Sequence, residues 1–227
     1  MQIVTIRDRN PQSCQHTKKG VLMGQEIPKI IIGRLPLYLR VLRRLKNEGK
    51  VYASSQELGK LLDISAAQIR KDLSHFGELG KRGTGYEVNF LIDKLDKILN
   101  IDKVWNIAVV GAGDVGHALA RYNGFLNRGF KVAAIFDSDP HKIGTKVRDL
   151  VIKDVKEIKD VIQEKNILIA VVATPASAAQ EVTDHLVENG IKAILNYAPI
   201  YLKVPKNVHI EHIDPAIHLQ KLSYYLG

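Results

Sequence analysis

The sequence predicts an α/β chain of two modules in series, a short helical one closed by a hairpin and a longer one built on a parallel sheet. Three observations predict it. Apolar residues at helical spacing, with two capping patterns, fill residues 35–76. A β-branched run at 104–110 feeds straight into a glycine triplet and another helical pattern. The charge also divides with the pattern. Residues 28–86 carry twelve Lys/Arg against five acids, a net of +7, whereas residues 104–227 carry fourteen against thirteen, a net of +1. So the +9 of the 227-residue chain belongs mostly to its first third, which points that third toward a polyanion.

Composition bounds the rest. At 45% hydrophobic and 25% charged residues the chain is of ordinary globular type. No apolar run approaches the ~18 residues of a bilayer span, and no charged segment followed by an apolar one opens the chain. Its one cysteine, Cys14, can form neither an internal disulfide nor a cysteine-built metal site, and no His/Cys/acid spacing suggests a metal. A cytoplasmic protein without membrane or metal partners is the expectation.

Residues 1–25 show no sustained apolar period and are read as a disordered extension, with Met23 just before the first organised stretch. The first module spans 26–100. Leu35, Tyr38, Leu39, Leu42 and Leu45 follow helical spacing, Pro36 suits an early helical position, and Gly49 suits the stop. Ser54 with Glu57, then Ser65 with Gln68, make two capping-box patterns. They open two short helices joined by a tight turn, the arrangement of a helix-turn-helix. In the second of these, Ile69, Leu73 and Phe76 would pack inward, leaving Gln68, Arg70, Lys71 and Ser74 free to reach a groove. Ser65 stands at its start. Gly80-Lys81-Arg82-Gly83-Thr84-Gly85-Tyr86 then permits a tight hairpin with a basic approach, a wing. On that reading Lys81 and Arg82 hold phosphates beside Gly85 and Tyr86, while Gln68, Arg70 and Lys71 are candidates for base edges. Double-stranded DNA is the partner implied.

The second module spans 101–213. Gly111-Ala112-Gly113-Asp114-Val115-Gly116 lies between the strand 104–110 and the helical stretch 117–122. This is G-x-G-x-x-G in the setting it requires: a glycine for the turn, one for close approach of a pyrophosphate, one for helix–strand packing. The helix start offers N–H groups and partial positive charge to phosphate. A second apolar run, Val132 to Phe136, ends at Asp137, 21 residues past Gly116. A carboxylate there binds a ribose 2′-hydroxyl and repels a 2′-phosphate, favouring NAD(H) over NADP(H). The apolar strand 167–173 places Ala173, Thr174 and Pro175 at the ligand edge. The strand 192–195 does the same for Asn196 and Ala198. Asn196 suits either a carboxamide ligand or a turn cap. Residues 208–213 alternate as an edge strand, and Asp214-Pro215 starts a last helix, residues 214–227.

Taken together, Arg34 to Arg40, Arg70 to Gly77, Gly83 to Tyr86, Gly111 to Gly116, Phe136 to Pro140 and Ile194 to Pro199 resemble the redox-sensing repressor family Rex. The likeness runs from about Ile27 to the C-terminus. It implies a homodimer of winged-helix and Rossmann domains, with the last helix swapped onto the partner subunit. It also implies that NADH releases a palindromic operator, while NAD⁺ competes without releasing it as well. An interdomain switch would follow, with Asp214 pairing with Arg40 when DNA is bound and with Tyr122 when NADH is bound. Two positions depart from the family pattern: Pro215 stands where a larger apolar residue is usual after this Asp, which argues against a nicotinamide contact from that position, and His75 stands where Tyr is common.

Two other functions fit parts of the sequence. An NAD-dependent oxidoreductase would need a substrate domain, for which only one helix remains after residue 213. Its acid/base histidine is also missing, since His117 and His185 read as structural. A module binding coenzyme A or another nucleotide uses similar loops, against which Asp137 argues for a free ribose diol. A non-enzymatic, ligand-switched repressor is the reading that uses every motif. A crevice edged by Ala112, Val115, Ala173, Pro175 and Ala198 would penalise burial of the positively charged oxidised ring and so favour NADH.

Overall fold

The computed structural model describes residues 27–81 and 83–227. The expectations for residues 1–25, Cys14 and Met23 among them, and for Arg82 lie outside the described residues. The chain divides into two compact units, one ending at Leu95 and one running from Asp96 to Gly227.

In the first unit, α1 (Lys29–Asn47) buries Leu35, Tyr38, Leu39, Leu42 and Leu45, the stripe read from the sequence, with Ile31 and Val41 beside it. The helix begins a full two turns earlier than Pro36 suggests, so that proline lies inside it. Pro36 and Ile32 are both exposed, and water can take the place of the N–H that the Ile32 carbonyl loses. Gly49, at φ +77°, ends the helix as expected.

Helices α2 (Ser55–Leu62) and α3 (Ala66–Ser74) follow, capped by the Ser54 and Ser65 hydroxyls, which accept from the N–H groups of Glu57 and Gln68 at 3.1 Å each. Only half of each capping box forms. The Glu57 carboxylate takes Lys50 Nζ at 2.5 Å and the Gln68 amide turns to Asp72, so neither returns to its cap. Ile69 and Leu73 are buried as read, and Phe76 is half-buried. The hairpin closes with Lys81 N–H donating to Gly85 C=O at 2.9 Å. Its return strand β2 (Tyr86–Glu87) pairs antiparallel with β1 (Tyr52–Ala53), which ties the wing to the segment before α2. Helix α4 (Val88–Ile98) then buries Val88, Leu91, Ile92 and Leu95.

The second unit is a seven-stranded sheet. Its strands are β3 (Trp105–Val110), β4 (Phe130–Asp137), β5 (Lys146–Val147), β6 (Leu150–Asp154), β7 (Ile169–Val172), β8 (Ala193–Asn196) and β9 (His209–His212). They lie in the order β5-β6-β4-β3-β7-β8-β9, all parallel except β5. Helices α5 (Asp114–Arg121), α6 (Ile158–Glu164) and α7 (Ala176–Glu188) complete the crossovers. Alternation along the strands feeds two cores. Ala108, Val110, Phe136 and Val172 pack on one face, and Ile107, Val109, Ile135 and Val171 on the other. A sheet covered on both sides explains why its strands read as unbroken apolar runs. The β5–β6 hairpin has no counterpart in the sequence reading, because β5 is only two residues long and the three apolar residues Leu150 to Ile152 of β6 are flanked closely by charges. Helix α8 (Pro215–Ser223) starts where Asp214-Pro215 predicts, with the Asp214 carboxylate accepting Ala216 N–H at 2.9 Å. Leu219 and Leu222 on this helix, and Tyr224, Tyr225 and Leu226 in the turn after it, are exposed apolar residues.

Candidate nucleotide crevice and DNA-recognition surface

The order of the sheet reverses between β3 and β7, and the crevice lies at their carboxyl ends, where α/β sheets bind ligands. Gly111 turns the chain at φ +101°, and a Cβ there would stand 2.4 Å from the Ala173 carbonyl oxygen. A Cβ on Gly116 would stand 1.8 Å from the Gly111 carbonyl oxygen, so α5 can pack this closely only on glycine. Around Gly113 there is open space, and no side chain caps the start of α5. The three glycines therefore divide turn, approach and packing as the motif requires.

A cavity of ≈ 650 Å³ collects Gly111, Gly113, Asp114, Val115, Asp137, Ala173, Thr174 and Pro175 in one wall. Asp137, at the end of β4, is buried and accepts three donors: Ala112 N–H at 2.7 Å, Asp139 N–H at 2.9 Å and Lys142 Nζ at 3.2 Å. Burial opposes its ionisation, but these donors outweigh that and hold its carboxyl below the usual range. A carboxylate accepts about four hydrogen bonds, so one position remains for a hydroxyl. Thr174 Oγ1 is buried with no hydrogen-bond partner among the described residues, an unmet group in the cavity wall. A dinucleotide fits these residues: a glycine cradle for its phosphates, an acid for its ribose, an orphan hydroxyl.

The structure does not bring every candidate here. Ala112 is buried and contributes its N–H to Asp137, and Gly116 only packs. Asn196 is buried beneath its own turn. Its Nδ2 donates to the Ala198 and Ile200 carbonyls at 3.0 and 2.9 Å and its Oδ1 accepts Ala198 N–H at 2.9 Å, the turn-capping role. Ala198 lines a separate small hollow with Asp214. Ser138, Lys142 and Tyr197 line the main cavity and were missed, and His185, read as structural, lines it too. Lys142 carried a signal, five residues past the acid, but an isolated surface lysine is too common to single out.

In the first unit a cleft of ≈ 570 Å³ between α3 and the wing gathers Arg70, Ser74, Lys81, Gly85 and Tyr86 with Ser54 and Ser55. Arg70 Nη1 donates to Ser55 Oγ at 2.9 Å, and Ser74 Oγ to the Lys71 carbonyl at 2.8 Å. Lys71 and Lys81 are exposed. Ser65 acts as the N-cap of α3. Tyr86 is a correction: only 8% exposed, with its ring against Gly80, it supports the wing and has little surface to offer a groove. His75 Nδ1 donates to the Lys71 carbonyl at 2.8 Å, closing the end of α3. Of the switch candidates, Arg40 is exposed on α1, Tyr122 stacks edge-on with Phe125 at 5.0 Å, and Asp214 caps α8.

Two family models match separate parts of the chain. Residues 26–74 match the family "Putative DNA-binding protein N-terminus" and residues 102–200 match "CoA binding domain". The chain is 51% identical over 200 residues to the redox-sensing transcriptional repressor Rex of Chloroflexus aurantiacus, covering 88% of this chain and 94% of that one. It belongs to the Rex family of redox-sensing transcriptional repressors. Rex from Brevibacillus brevis is 44% identical over 89% of this chain and 98% of its own, and Rex 1 of Thermotoga maritima 45% over 89% and 97%. The Rex-family repressor RSP, solved in complex with β-NAD⁺ and operator DNA, superposes at TM-score 0.84 with 40% identity, covering 89% of this chain and 94% of that one. RSP in complex with β-NADH superposes at 0.80 with 39% identity, covering 89% and 95%.

Proposed function

We propose that this Rex protein is a homodimer that binds a two-fold-symmetric operator through α3 and the wing, and releases it when NADH fills the crevice. One observation carries the reading most directly: the glycine loop, Asp137 and the partnerless Thr174 hydroxyl share a single cavity. In the proposed pose, the pyrophosphate lies against Gly111, Gly113 and the start of α5, and Asp137 takes an adenosine ribose hydroxyl. Val115, Ala173 and Pro175 edge the nicotinamide. That apolar edge favours the uncharged reduced ring, so NAD⁺ competes less effectively. The role of RSP, solved with either nucleotide and with operator DNA, supports the same assignment.

Gln68, Arg70 and Lys71 face base edges in this account, and Ser65, Ser74, Lys81, Arg82 and Gly85 hold the backbone. Arg40, Tyr122 and Asp214 form the interdomain switch, with Asp214 exchanging partners at modest cost as a two-state device requires. The exposed apolar side of α8 packs on the partner subunit. No catalytic step is assigned, and the protein works in the cytoplasm. Among the described residues no cluster of metal-ligating side chains occurs and no helix is long and apolar enough to cross a membrane.

The match to a CoA-binding domain keeps a second ligand in view. Titrating the protein with NADH, NAD⁺ and coenzyme A separates the two. The proposal expects NADH to bind tightest and coenzyme A weakly, and the reverse order would replace it.

A further inference from the structure

We infer that Asp72 is the positioning residue of α3: it fastens this helix to α1 and fixes the Gln68 amide so that an oxygen and one N–H remain for an adenine edge. The inference deepens the proposed function and rests on its assignment of α3 to the DNA groove.

Asp72 is fully buried, and its carboxylate accepts four bonds from two helices. Arg34 binds it in bidentate fashion, Nε to Oδ2 at 2.6 Å and Nη2 to Oδ1 at 2.7 Å. Tyr38 Oη donates to Oδ2 at 2.5 Å and Gln68 Nε2 to Oδ1 at 2.6 Å. Arg34 and Tyr38 lie one turn apart on α1, as Gln68 and Asp72 do on α3, so each pair shares a face. Each carboxylate oxygen holds two donors, which fills its capacity. A buried ion pair is weak evidence for stability, because well-packed apolar residues can hold two helices together as well or better. What the carboxylate adds is direction.

Ionised Asp72 only accepts, so it dictates which end of the Gln68 amide turns inward. Nε2 faces the carboxylate, since the opposite flip would set Oε1 against it. One N–H is spent there. Oε1 and the other N–H stay outside the bond, and with the N–H anti to Oε1 given to Asp72 the remaining pair makes the donor–acceptor edge that matches N6–H and N7 of adenine. Gln68 also lies in the first turn of α3, the part of a recognition helix that meets bases.

The test uses the full chain and a pool of duplexes carrying randomised, two-fold-symmetric half-sites, with bound sequences read out. Wild-type protein is expected to prefer one A·T pair per half-site that Gln68→Ala relaxes about tenfold, with the other positions unchanged. Asp72→Asn should relax that same position, since a neutral amide lets Gln68 present either end, and should add nothing to the loss in Gln68→Ala. Tyr38→Phe removes a donor without touching Gln68 and should keep the preference. Weaker binding of Asp72→Asn to every duplex alike, with the preference unchanged, would overturn the inference and leave the operator reading intact. If Asp72→Asn fails to fold, Gln68→Glu decides. Its carboxylate must swing away from Asp72 and lose the same position, and an unaltered preference overturns the inference. Wild-type protein that enriches no sequence would overturn both.

Discussion

Asp137 Oδ2 accepts the Ala112 N–H at 2.7 Å, so the last residue of β4 is fastened to the glycine loop that ends β3. The acid that would hold a ribose and the loop that would hold the phosphates are thus one unit. Asp137→Ala removes a charged acceptor and loosens the loop together. NADH affinity should fall on the order of tenfold to a hundredfold, while DNA binding by the ligand-free protein stays within a factor of about two, because the first unit is unaltered. Calorimetric titration and fluorescence anisotropy measure the two.

Arg70→Ala and Lys71→Ala address the other module. Both residues are exposed on α3, so folding should be unaffected. Specific operator binding should be lost, a base contact being worth about 1–3 kcal/mol and a phosphate contact adding to it, and NADH affinity should not change. Equal damage to both activities in folded protein would contradict the division into two modules.

Thr174→Val tests the orphan hydroxyl. A buried hydroxyl without a partner costs about 1–3 kcal/mol, so the ligand-free variant should melt at the same temperature as wild type or higher. NADH affinity should drop if that hydroxyl is met by the ligand. A variant both less stable and equally tight would place Thr174 outside the binding account.

Asp72 gives a pH dependence of known sign. Burial opposes its ionisation, but hydrogen bonds from Arg34, Tyr38 and Gln68 prevail and hold its folded pKa below the ordinary 3.8. A depressed carboxylate contributes stability that is complete above its unfolded pKa and lost as pH falls through the lower folded one. Wild-type protein should therefore be more stable than Asp72→Asn at pH 7, with the gap closing on acidification. Urea unfolding midpoints between pH 7 and 3 check it.

How much of this was legible follows from the kind of residue involved. Strands β3, β4, β7 and β8, the glycine loop and Asp137 declare themselves through local pattern: a buried run, a triplet, an acid at fixed distance. The helix-turn-helix declares itself through its serine caps. Asp72 does not, because its meaning comes from Arg34 and Tyr38, more than thirty residues earlier, and a lone acid between Lys71 and Leu73 reads as a solvated charge. Tyr86 misleads for the opposite reason: a tyrosine after a basic hairpin suggests a surface ring, yet the β1–β2 pairing turns it into the core. Asn196 likewise satisfies its own turn, a use that the sequence left level with ligand binding. Pro36 shows that a proline marks a helix start only when no apolar stripe precedes it; Ile31 provides that stripe one turn earlier.

The most direct measurement is operator occupancy as a function of reduced cofactor. A gel shift or anisotropy titration of the full chain on a two-fold-symmetric duplex, repeated with saturating NADH and with NAD⁺, should show release by NADH and little by NAD⁺. Reciprocal coupling demands that operator DNA weaken NADH binding by the same factor. Unchanged occupancy at saturating NADH would contradict the account, whatever the fit of the crevice.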